Sequence, residues 1–500
     1  MLDDLLQGFT LILNGPSLLA IVLGLSTGIV VGALPGLSAT MAVALLSPFT
    51  FFMPPTIGIP FLLGLFKAAI YAGSIPAITI NTPGTAASAA TTLDGHALAR
   101  QGHARKALEM SLFASVAGDL LATFVLIGLA GLLASVALRF GPPEFVMLYA
   151  MALITITSVA GRDAAKAVLS TAIGLLVACI GLDPMSGAQR LTFGSVDLLG
   201  GVSLIPVLIG LFALPEVFVR CEAPFRARTV IAPDRDAPGL TRHEFRRAVP
   251  TILRSTAIGT GVGILPGIGA EISTWLAYGA ARRRSREPHR YGQGSLEGLA
   301  AAESGNNAAC PACLIPMTVF GIPGDTVTAV LIGAFIAHGL TPGPLLFQNH
   351  GQVLYSLFAS LIIGNVLLLV IGWFGIRSFR RITEIPEAIL YPIVVALCLA
   401  GSFAVNSSVA DIGLTIGAGL AGYLMRKLHM PAPPMVIAML VAPGLENALR
   451  QSLTLSGGNA TIFLTRPISA SLLALIVLGA GLVAWRHWRP LSSTHQEFDS

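Results

Sequence analysis

Continuous apolar runs of about 15 to 25 residues, the length that a helix needs to cross the hydrocarbon core of a bilayer, make up most of the chain. Hydrophobic residues form 54% of its 500 residues, charged residues form 11%, and the mean hydropathy is +0.79. Continuous runs indicate helices, because a membrane barrel would show alternating strands of about ten residues. The sequence therefore predicts an all-α polytopic membrane protein with about 11 to 14 membrane segments.

Lysine and arginine are concentrated in alternate loops between these runs, and such loops are expected on the cytoplasmic side. The loops predicted to be cytoplasmic contain Arg100, Arg105 and Lys106; Arg162 and Lys166; the arginines from Arg220 to Arg247; residues 282–290; residues 377–381; and Arg426 with Lys427. Residues 338–350 and 405–409 contain neither lysine nor arginine and are predicted to face the opposite side. The predicted spans are residues 57–80, 108–137, 143–160, 164–181, 198–219, 301–320, 352–376, 386–404, 410–425, 431–445 and 464–485.

Two further segments are apolar but interrupted by Pro-Gly. In the second segment the interruption leaves arms of about 14 to 17 residues, which are short for crossing a bilayer core of about 30 Å. These segments are residues 17–52, with the interruption at Pro35 and Gly36, and residues 249–281, with the interruption at Pro266 and Gly267. We predict that each forms a helical hairpin with its tip at the Pro-Gly pair.

The two hairpins belong to an internal repeat. GIVVGALPGLSA (28–39) aligns with GTGVGILPGIGA (259–270), and SIPAITINTPGTAASA (74–89) aligns with LIPMTVFGIPGDTVTA (314–329). An odd number of predicted crossings separates the copies, so we expect them to be inserted with opposite orientations. The predicted organisation is a first transmembrane repeat over 1–219, a basic cytoplasmic linker over 220–248, an inverted second repeat over 249–486 and a cytoplasmic tail over 487–500.

Inverted repeats with Pro-Gly-interrupted helices are typical of secondary transporters, in which half-helix N-termini bind anionic groups of the substrate and carbonyls or carboxylates bind the coupling ion. The residues predicted to bind substrate are Ser38, Thr40, Asn81, Thr82, Gly84, Thr85, Asn306, Asn307, Gly324 and Thr326. Glu303 and Asp325 are predicted to hold the coupling ion, because ionisable residues in an apolar neighbourhood are functional candidates. The alternative is that these side chains only cap helices, pack, or form a structural hydrogen-bond network.

Two other charged residues have open interpretations. Lys67 is either a counter-charge for a carboxylate or a side chain that reaches the membrane interface. Asp94, followed by Gly95, favours a turn or cap.

The stretches GALPGLSA, NTPGTAASAATTLDGHALARQGHARKAL, LPGIGAEISTW, AAAESGNNAAC, GIPGD and HGLTPGP occur in this order, and the chain resembles the large membrane subunit of the tripartite tricarboxylate transporters. The resemblance implies a multi-pass permease of the bacterial inner membrane that is driven by an ion gradient. Its implied partners are a small transmembrane subunit and a periplasmic solute-binding protein that delivers an organic anion, such as a tricarboxylate or dicarboxylate. It implies no cofactor beyond Na⁺ or H⁺ as the coupling ion.

Other classes of protein fit the sequence less well. An ATP-driven pump needs a GxxxxGK[ST] loop, and none of the four lysines (Lys67, Lys106, Lys166 and Lys427) lies in one. For a membrane hydrolase, YAGSI is a poor nucleophile motif, so we predict that the chain is not an enzyme. The Cys310–Cys313 pair indicates packing rather than metal binding, and residues 282–290 indicate contact with lipid rather than nucleic acid. A stand-alone ion-coupled carrier and a passive channel remain alternatives to binding-protein-dependent uptake.

Overall fold

The computed structural model describes residues 2–159, 163–183, 185–222, 231, 238–376 and 387–488. Within these ranges the helices are α1 (Leu2–Ile12), α2 (Gly15–Ala33), α3 (Ala39–Thr50), α4 (Pro55–Ala72), α5 (Ser74–Ile80), α6 (Ala104–Ala137), α7 (Pro142–Val159), α8 (Ala164–Ala178), α9 (Leu204–Glu222), α10 (Arg242–Gly263), α11 (Gly269–Arg284), α12 (Leu296–Phe320), α13 (Thr326–Ala337), α14 (Pro344–Asn349), α15 (Gly351–Gly375), α16 (Glu387–Asn406), α17 (Val409–Lys427), α18 (Pro433–Leu455), α19 (Ile462–Thr465) and α20 (Pro467–Trp488). Short 3₁₀ or π turns cover Ala86–Ser88, Thr92–His96, Ala99–His103 and Pro288–Arg290.

Six helices in the described part of the chain are long and apolar enough to cross a membrane. They are Gly15–Ala33, Pro55–Ile80, Ala99–Ala137, Leu204–Glu222, Gly351–Gly375 and Ile389–Asn406. The sheet that the structure describes is a two-stranded antiparallel ribbon, β1 (Gly181–Leu182) and β2 (Gln189–Arg190). The prediction of an all-α polytopic membrane protein is confirmed.

Each predicted hairpin is present, as α2–α3 and as α10–α11. The chain turns at Gly36 with φ +100° and at Gly267 with φ +82°, in the left-handed region that glycine enters without steric cost. The first arm of each hairpin then packs against a helix that follows the hairpin, α2 against α4 and α10 against α12.

These two helix pairs pack in the same register. The close contacts are Gly28 with Ala68 and Gly32 with Ala72 in the first pair, and Gly259 with Ala308 and Gly263 with Ala312 in the second. A Cβ added to any of the four glycines would lie 2.7 to 3.0 Å from the alanine Cβ, so the helices approach as closely as small residues allow. In both pairs the residue numbers rise together, so the two helices of a pair run parallel. This equivalence supports the internal repeat.

The two copies run in opposite directions. Gly58, near the start of α4, lies beside His338 at the end of α13, whose Nε2 is 2.9 Å from the carbonyl oxygen of Thr50. At the other end, Gly95 lies between Ile78 of α5 and Leu299, near the start of α12. The helix that leads into the first break is therefore antiparallel to the helix that leads into the second, as an inverted repeat requires.

Charge is distributed unevenly between the two ends of the molecule. The end that carries Lys106, Arg247 and Arg426 is called the basic end here. Cations are paired with carboxylates at both ends. At the basic end Lys106 pairs with Glu244 at 2.7 Å and Arg426 with Glu216 at 2.6 Å. At the opposite end the pairs are Arg190 with Glu446 at 2.8 Å, Arg450 with Asp183 at 2.8 Å and Arg466 with Glu144 at 3.0 Å. The basic end is the one that the positive-inside rule predicts to be cytoplasmic.

The later helices of the two halves pair across the molecule. Gly174 of α8 packs on the backbone of Met435 in α18, and Gly210 of α9 packs on the backbone of Thr415 in α17. Both pairs are parallel and place glycine against backbone at the point of closest approach. The division of the chain into repeats, linker and tail stays a prediction. Arg162, residues 377–381, most of the linker and most of the tail lie outside the described residues.

Candidate substrate and ion site

The first helix break follows α5. Asn81 ends the helix in the left-handed conformation with φ +53°, and the N–H of Thr82 donates to the carbonyl of Pro76 at 3.3 Å. The chain then folds back, because the N–H of Gly84 donates to the carbonyl of Gly73 at 3.0 Å. A Cβ on Gly84 would lie 2.1 Å from the carbonyl oxygen of Gly32, so the break is pressed against the hairpin arm α2.

The second break, after α12, repeats this geometry. Gly321 ends the helix with φ +70°, and the N–H of Ile322 donates to the carbonyl of Pro316 at 3.2 Å. Gly324 then returns to the flank of α12, where an added Cβ would lie 2.7 Å from the Cα of Cys313. The aligned positions of the two halves therefore have the same backbone conformation, which explains why Asn, a residue that tolerates this conformation, occupies the place of glycine at position 81.

The hairpins and the breaks meet across the repeat. The hydroxyls of Thr40, after the first tip, and Thr326, after the second break, are 2.8 Å apart. The N–H of Gly267, at the second tip, donates to the carbonyl of Gly324 at 2.8 Å. The turn Ala86–Ser88, after the first break, contacts α11. The predicted site residues Thr40, Gly324 and Thr326 thus lie together, beside both hairpins.

Helix N-termini surround this meeting point. Ser38 caps α3, since its Oγ accepts the N–H of Met41 at 3.1 Å, and Asp325 caps α13, since its Oδ1 accepts the N–H of Thr328 at 2.7 Å. These contacts match the structural alternative for both residues. Among the described residues, no side chain caps the N-terminus of α11, which starts after Ile268 and carries Glu271 in its first turn. The N–H groups and the positive end of the dipole there suit a carboxylate.

Three other predicted site residues at the first break lie near, rather than in, this meeting point. Asn81 is exposed at its helix end, and the Thr82 hydroxyl donates to the carbonyl of Ile80 at 3.3 Å. Thr85 is buried, with its hydroxyl 3.1 Å from that of Ser88. Asn81, Thr82 and Thr85 therefore have local surroundings that are typical of a helix end.

Glu303 lies in the interior among hydroxyl groups. Its side chain is 0% exposed, its Oε2 accepts a hydrogen bond from Ser115 at 2.9 Å, and its Oε1 accepts one from Thr91. The Nδ2 of Asn307 donates to the Ser115 hydroxyl at 2.9 Å and to the Glu303 carbonyl at 3.0 Å. No lysine or arginine of the described ranges pairs with this carboxylate. A buried carboxylate without a cationic partner needs a bound proton or cation to offset its desolvation.

Asn306 is also completely buried, and both polar atoms of its side-chain amide have no hydrogen-bond partner among the residues described. Buried amides are nearly always bonded in native structures. Its neighbour Asn307 is bonded to the Glu303 network, whereas the Asn306 amide is available to a ligand. The sequence prediction grouped these two residues, and the structure gives them different surroundings.

Lys67 is buried in a membrane-spanning helix rather than directed to the interface. Its side chain is 2% exposed, its Nζ lies 2.9 Å from the Oδ1 of Asp119, and it donates to the carbonyl of Leu361 at 2.9 Å. The alternative that Lys67 reaches the interface is wrong. Asp119 was missed by the sequence reasoning, although an aspartate within the apolar run 108–137 is a signal of a functional or paired charge.

Asp94 is a cap, but for a distant part of the chain. Its Oδ1 accepts the N–H groups of Gly292, Gly294 and Ser295 at 2.8, 3.0 and 2.8 Å, and its Oδ2 accepts the hydroxyl of Tyr278 at 2.9 Å. The side chain is 0% exposed. It therefore ties the arm that follows the first break to the loop that precedes α12.

The model of the tripartite tricarboxylate transporter TctA family matches residues 18–437, a range that includes both hairpins and both breaks. The chain belongs to this family. It is thus the membrane component of a tripartite tricarboxylate transporter, and the resemblance seen in the sequence motifs is confirmed.

Two curated relatives come from Agrobacterium vitis. An uncharacterized 52.8 kDa protein in the TAR-I ttuC' 3' region is 34% identical over 475 residues, which cover 95% of this chain and 94% of the relative. An uncharacterized protein in the TAR-II ttuC' 3' region is 35% identical over 217 residues, or 43% of this chain and 90% of that protein. No solved structure matches the chain.

A serine-nucleophile spacing occurs in this TctA-family chain, but within a helix. Residues 24–28 read GLSTG, the spacing of a serine nucleophile turn, but they lie inside α2, where Gly24 packs on the backbone of Phe61. A nucleophile turn would lie between a strand and a helix. In the part of the chain that is described, no group of three or more His, Cys, Asp or Glu residues is placed to hold a metal ion.

Proposed function

We propose that this TctA-family chain imports an organic anion, a tricarboxylate, dicarboxylate or related carboxylate, across the bacterial inner membrane. Uptake is coupled to Na⁺ or H⁺ and depends on a small transmembrane subunit and a periplasmic solute-binding protein. Family membership supports the tripartite organisation. The basic end faces the cytoplasm and the paired arginines of the opposite end face the periplasm.

The anion binds where the two hairpins and the two breaks meet. The observation that carries this proposal is the contact between Thr40 and Thr326, 2.8 Å apart, which joins a hairpin of one half to a break of the other. The uncapped N-terminus of α11 supplies N–H donors for a carboxylate, and the unbonded amide of Asn306 supplies a further polar group. A site shared by both halves is exposed to alternate sides when one half moves against the other.

The coupling ion binds at Glu303. The hydroxyls of Thr91 and Ser115 donate to its carboxylate, but neither neutralises its charge. A proton or Na⁺ would supply that charge, and Asp325, as the cap of α13, links the same region to the second break. Binding of the ion then stabilises the packing of α12 against α6, next to the site of the anion.

The test is uptake of radiolabelled citrate, succinate and tartrate into proteoliposomes that contain this chain, its small subunit and its binding protein. Accumulation that requires an inward Na⁺ or H⁺ gradient is the expected result. Gradient-independent equilibration would contradict the proposal and indicate a passive channel, and undiminished uptake without the binding protein would indicate a stand-alone carrier.

Variants locate the site within the same assay. Thr40→Val and Thr326→Val are expected to raise the KM for the anion by roughly tenfold, since each loses a polar group worth about 1 to 1.5 kcal/mol. The matched control is Thr454→Val, at the opposite end, whose hydroxyl bonds only its own helix in the described contacts. Glu303→Gln is expected to remove the part of the gradient dependence that comes from the ion at Glu303, while leaving binding of the solute-binding protein unchanged.

A further inference from the structure

A second buried charge lies apart from Glu303, in the contact between the two halves. Asp119 of α6 is 1% exposed, and its Oδ1 contacts the Nζ of Lys67 on α4 and the Nδ2 of Asn365 on α15, each at 2.9 Å. The hydroxyl of Thr123 lies 3.2 Å from the same oxygen. All of these polar contacts of the Asp119 carboxylate therefore go to Oδ1.

The other oxygen and its neighbour are unsatisfied. Oδ2 of Asp119 and Oδ1 of Asn365 are both buried, and neither has a hydrogen-bond partner among the described residues. Both atoms are acceptors, so they have nothing to donate to each other while Asp119 is ionised. Leaving two buried acceptors unbonded is costly in a membrane interior, where water does not replace the missing donor.

A proton satisfies both atoms at once. A carboxylic acid and a primary amide can form two hydrogen bonds, amide N–H to the carbonyl oxygen and acid O–H to the amide oxygen. The first of these is present between Asn365 and Asp119. The two atoms left without partners are the two that the second bond would join. The bond that is present and the two atoms without partners match the bonding pattern of an acid–amide pair that lacks its acidic proton.

We propose that Asp119 is a proton-binding site of this transporter, in which Asn365 stabilises the protonated acid and Lys67 stabilises the ionised carboxylate. A proton from the aqueous phase binds Oδ2, the new O–H donates to Oδ1 of Asn365, and the Asp119–Lys67 ion pair loses its negative member. Lys67 keeps its hydrogen bond to the Leu361 carbonyl. A metal cation fits this site poorly, because the Lys67 ammonium already lies 2.9 Å from the carboxylate.

Protonation changes the charge in the interior by one unit, and this has a consequence for transport. A buried ammonium without a counter-ion is strongly unfavourable, so the protonated state favours the arrival of an anion nearby. The proton and the substrate anion thereby enter together. This step rests on the proposed anion transport, whereas proton binding at Asp119 does not.

Other charged or titratable groups surround the site. Lys67 faces Asp119 from α4. Cys310 of α12 lies close enough to Lys67, Asp119 and Asp325 for their charges to act on its thiol. Glu303 of α12 bonds Ser115, one helical turn before Asp119 on α6. From α15, the group that faces Asp119 is the neutral amide of Asn365. A titration of the intact protein therefore contains more than one carboxyl group, and variants are needed to assign each.

The test is pH-difference infrared spectroscopy of the complete transporter in liposomes, which follows the carbonyl stretch of a protonated carboxylic acid. The expected result is a titrating component of this band that is present in the parent and missing from the double variant Lys67→Met/Asp119→Asn, which leaves no unpaired charge and so preserves folding. Asp163→Asn, at the basic end, is the matched control and should retain this component. A double variant whose titration is the same as that of the parent would overturn the proposal.

Two single variants give opposite shifts. Lys67→Met removes the cation that favours the ionised form, so the midpoint should move to higher pH by at least one unit, a tenfold change in proton affinity. Asn365→Leu removes two bonds from the acid but only one from the carboxylate, so the midpoint should move to lower pH. Shifts in the same direction would contradict the acid–amide pair. Because this readout needs no substrate, a failed uptake assay together with a titrating Asp119 would refute the proposed function and leave the proton site intact.

Discussion

Replacing Asp94 by alanine tests whether the contact between the two halves at the basic end is as strong as its geometry implies. The carboxylate is 0% exposed and accepts hydrogen bonds from four donors, the N–H groups of Gly292, Gly294 and Ser295 and the hydroxyl of Tyr278. A run of backbone N–H groups that converge on one oxygen is an anion-binding concavity, here filled by a side chain of the same protein.

The size of the effect follows from the accessibility of the donors. Hydrogen bonds to a charged group are worth about 1.5 to 3 kcal/mol each when water cannot replace them. The three N–H donors belong to a partly exposed loop, so water will recover part of that energy. We expect Asp94→Ala to lower the free energy of unfolding by roughly 3 to 4 kcal/mol, and Asp94→Asn by roughly 1 to 2 kcal/mol because the amide oxygen still accepts.

A second substitution reaches the same contact from the other half. A Cβ on Gly298 would lie 2.1 Å from the Oδ2 of Asp94, so Gly298→Ala must displace the carboxylate. Gly298→Ala is expected to lower the free energy of unfolding by about as much as Asp94→Ala. The two losses should not add in the double variant, because residues that share one contact are coupled. Gly261→Ala is the control, since an added Cβ there meets nothing within 4 Å.

The assay is denaturant unfolding in mixed micelles followed by tryptophan fluorescence, with hydrogen exchange of residues 292–296 as the local readout. Faster exchange of these amides should accompany each loss of stability. The reasoning would be refuted if Gly298→Ala were as stable as Gly261→Ala, or if the costs of Gly298→Ala and Asp94→Ala were additive.

Two further outcomes are expected. Gly84→Ala should prevent correct folding or lower the free energy of unfolding by more than about 3 kcal/mol, because its Cβ would meet the Gly32 carbonyl at 2.1 Å. The control Gly128→Ala, with open space around it, should be neutral or stabilising in a thermal unfolding assay. Equal melting temperatures of the two variants would contradict the packing of the break. The N–H of Ser186, together with other donors, holds the pKa of Asp183 below its ordinary value. The contribution of Asp183 to the stability of the folded state is therefore complete above its unfolded pKa of about 4, and it is lost as pH falls through the lower folded pKa. Hydrogen exchange of residues 181–190 should therefore accelerate in strong acid in the parent and lose this dependence in Asp183→Asn, and an unchanged pH profile in the variant would refute it.

The parts of the fold that depend on local backbone chemistry were predictable from the sequence. Pro35–Gly36 and Pro266–Gly267 interrupt apolar runs, and hairpin tips lie there because proline ends a helix and glycine adopts positive φ. The two breaks were found for the same reason. The short helix Thr326–Ala337 was not predicted as a span, since its 12 residues are too few for a full crossing.

Contacts between distant helices were not predictable from one sequence. Lys67 and Asp119 were both visible as charges in apolar runs, but their pairing depends on which faces of α4 and α6 meet. Asp94 was predicted to be a cap, yet its partners lie near residue 294, because tertiary structure brings that loop to it. Ser38 and Asp325 were assigned to the site from position alone, whereas in the structure each accepts a hydrogen bond from an N–H in the first turn of the helix that it precedes.

The crossed pairing of α8 with α18 and of α9 with α17 has a consequence for biosynthesis. Helices α8 and α9 leave the ribosome roughly 200 to 270 residues before their partners, a delay on the order of 10 to 50 s at 5 to 20 residues per second. During that time Gly174 and Gly210, whose final contacts are the backbones of Met435 and Thr415, face lipid or a transient neighbour. The first half of the chain is therefore expected to wait in the membrane as an incompletely packed intermediate, and truncations that end before α17 should be degraded rather than stored.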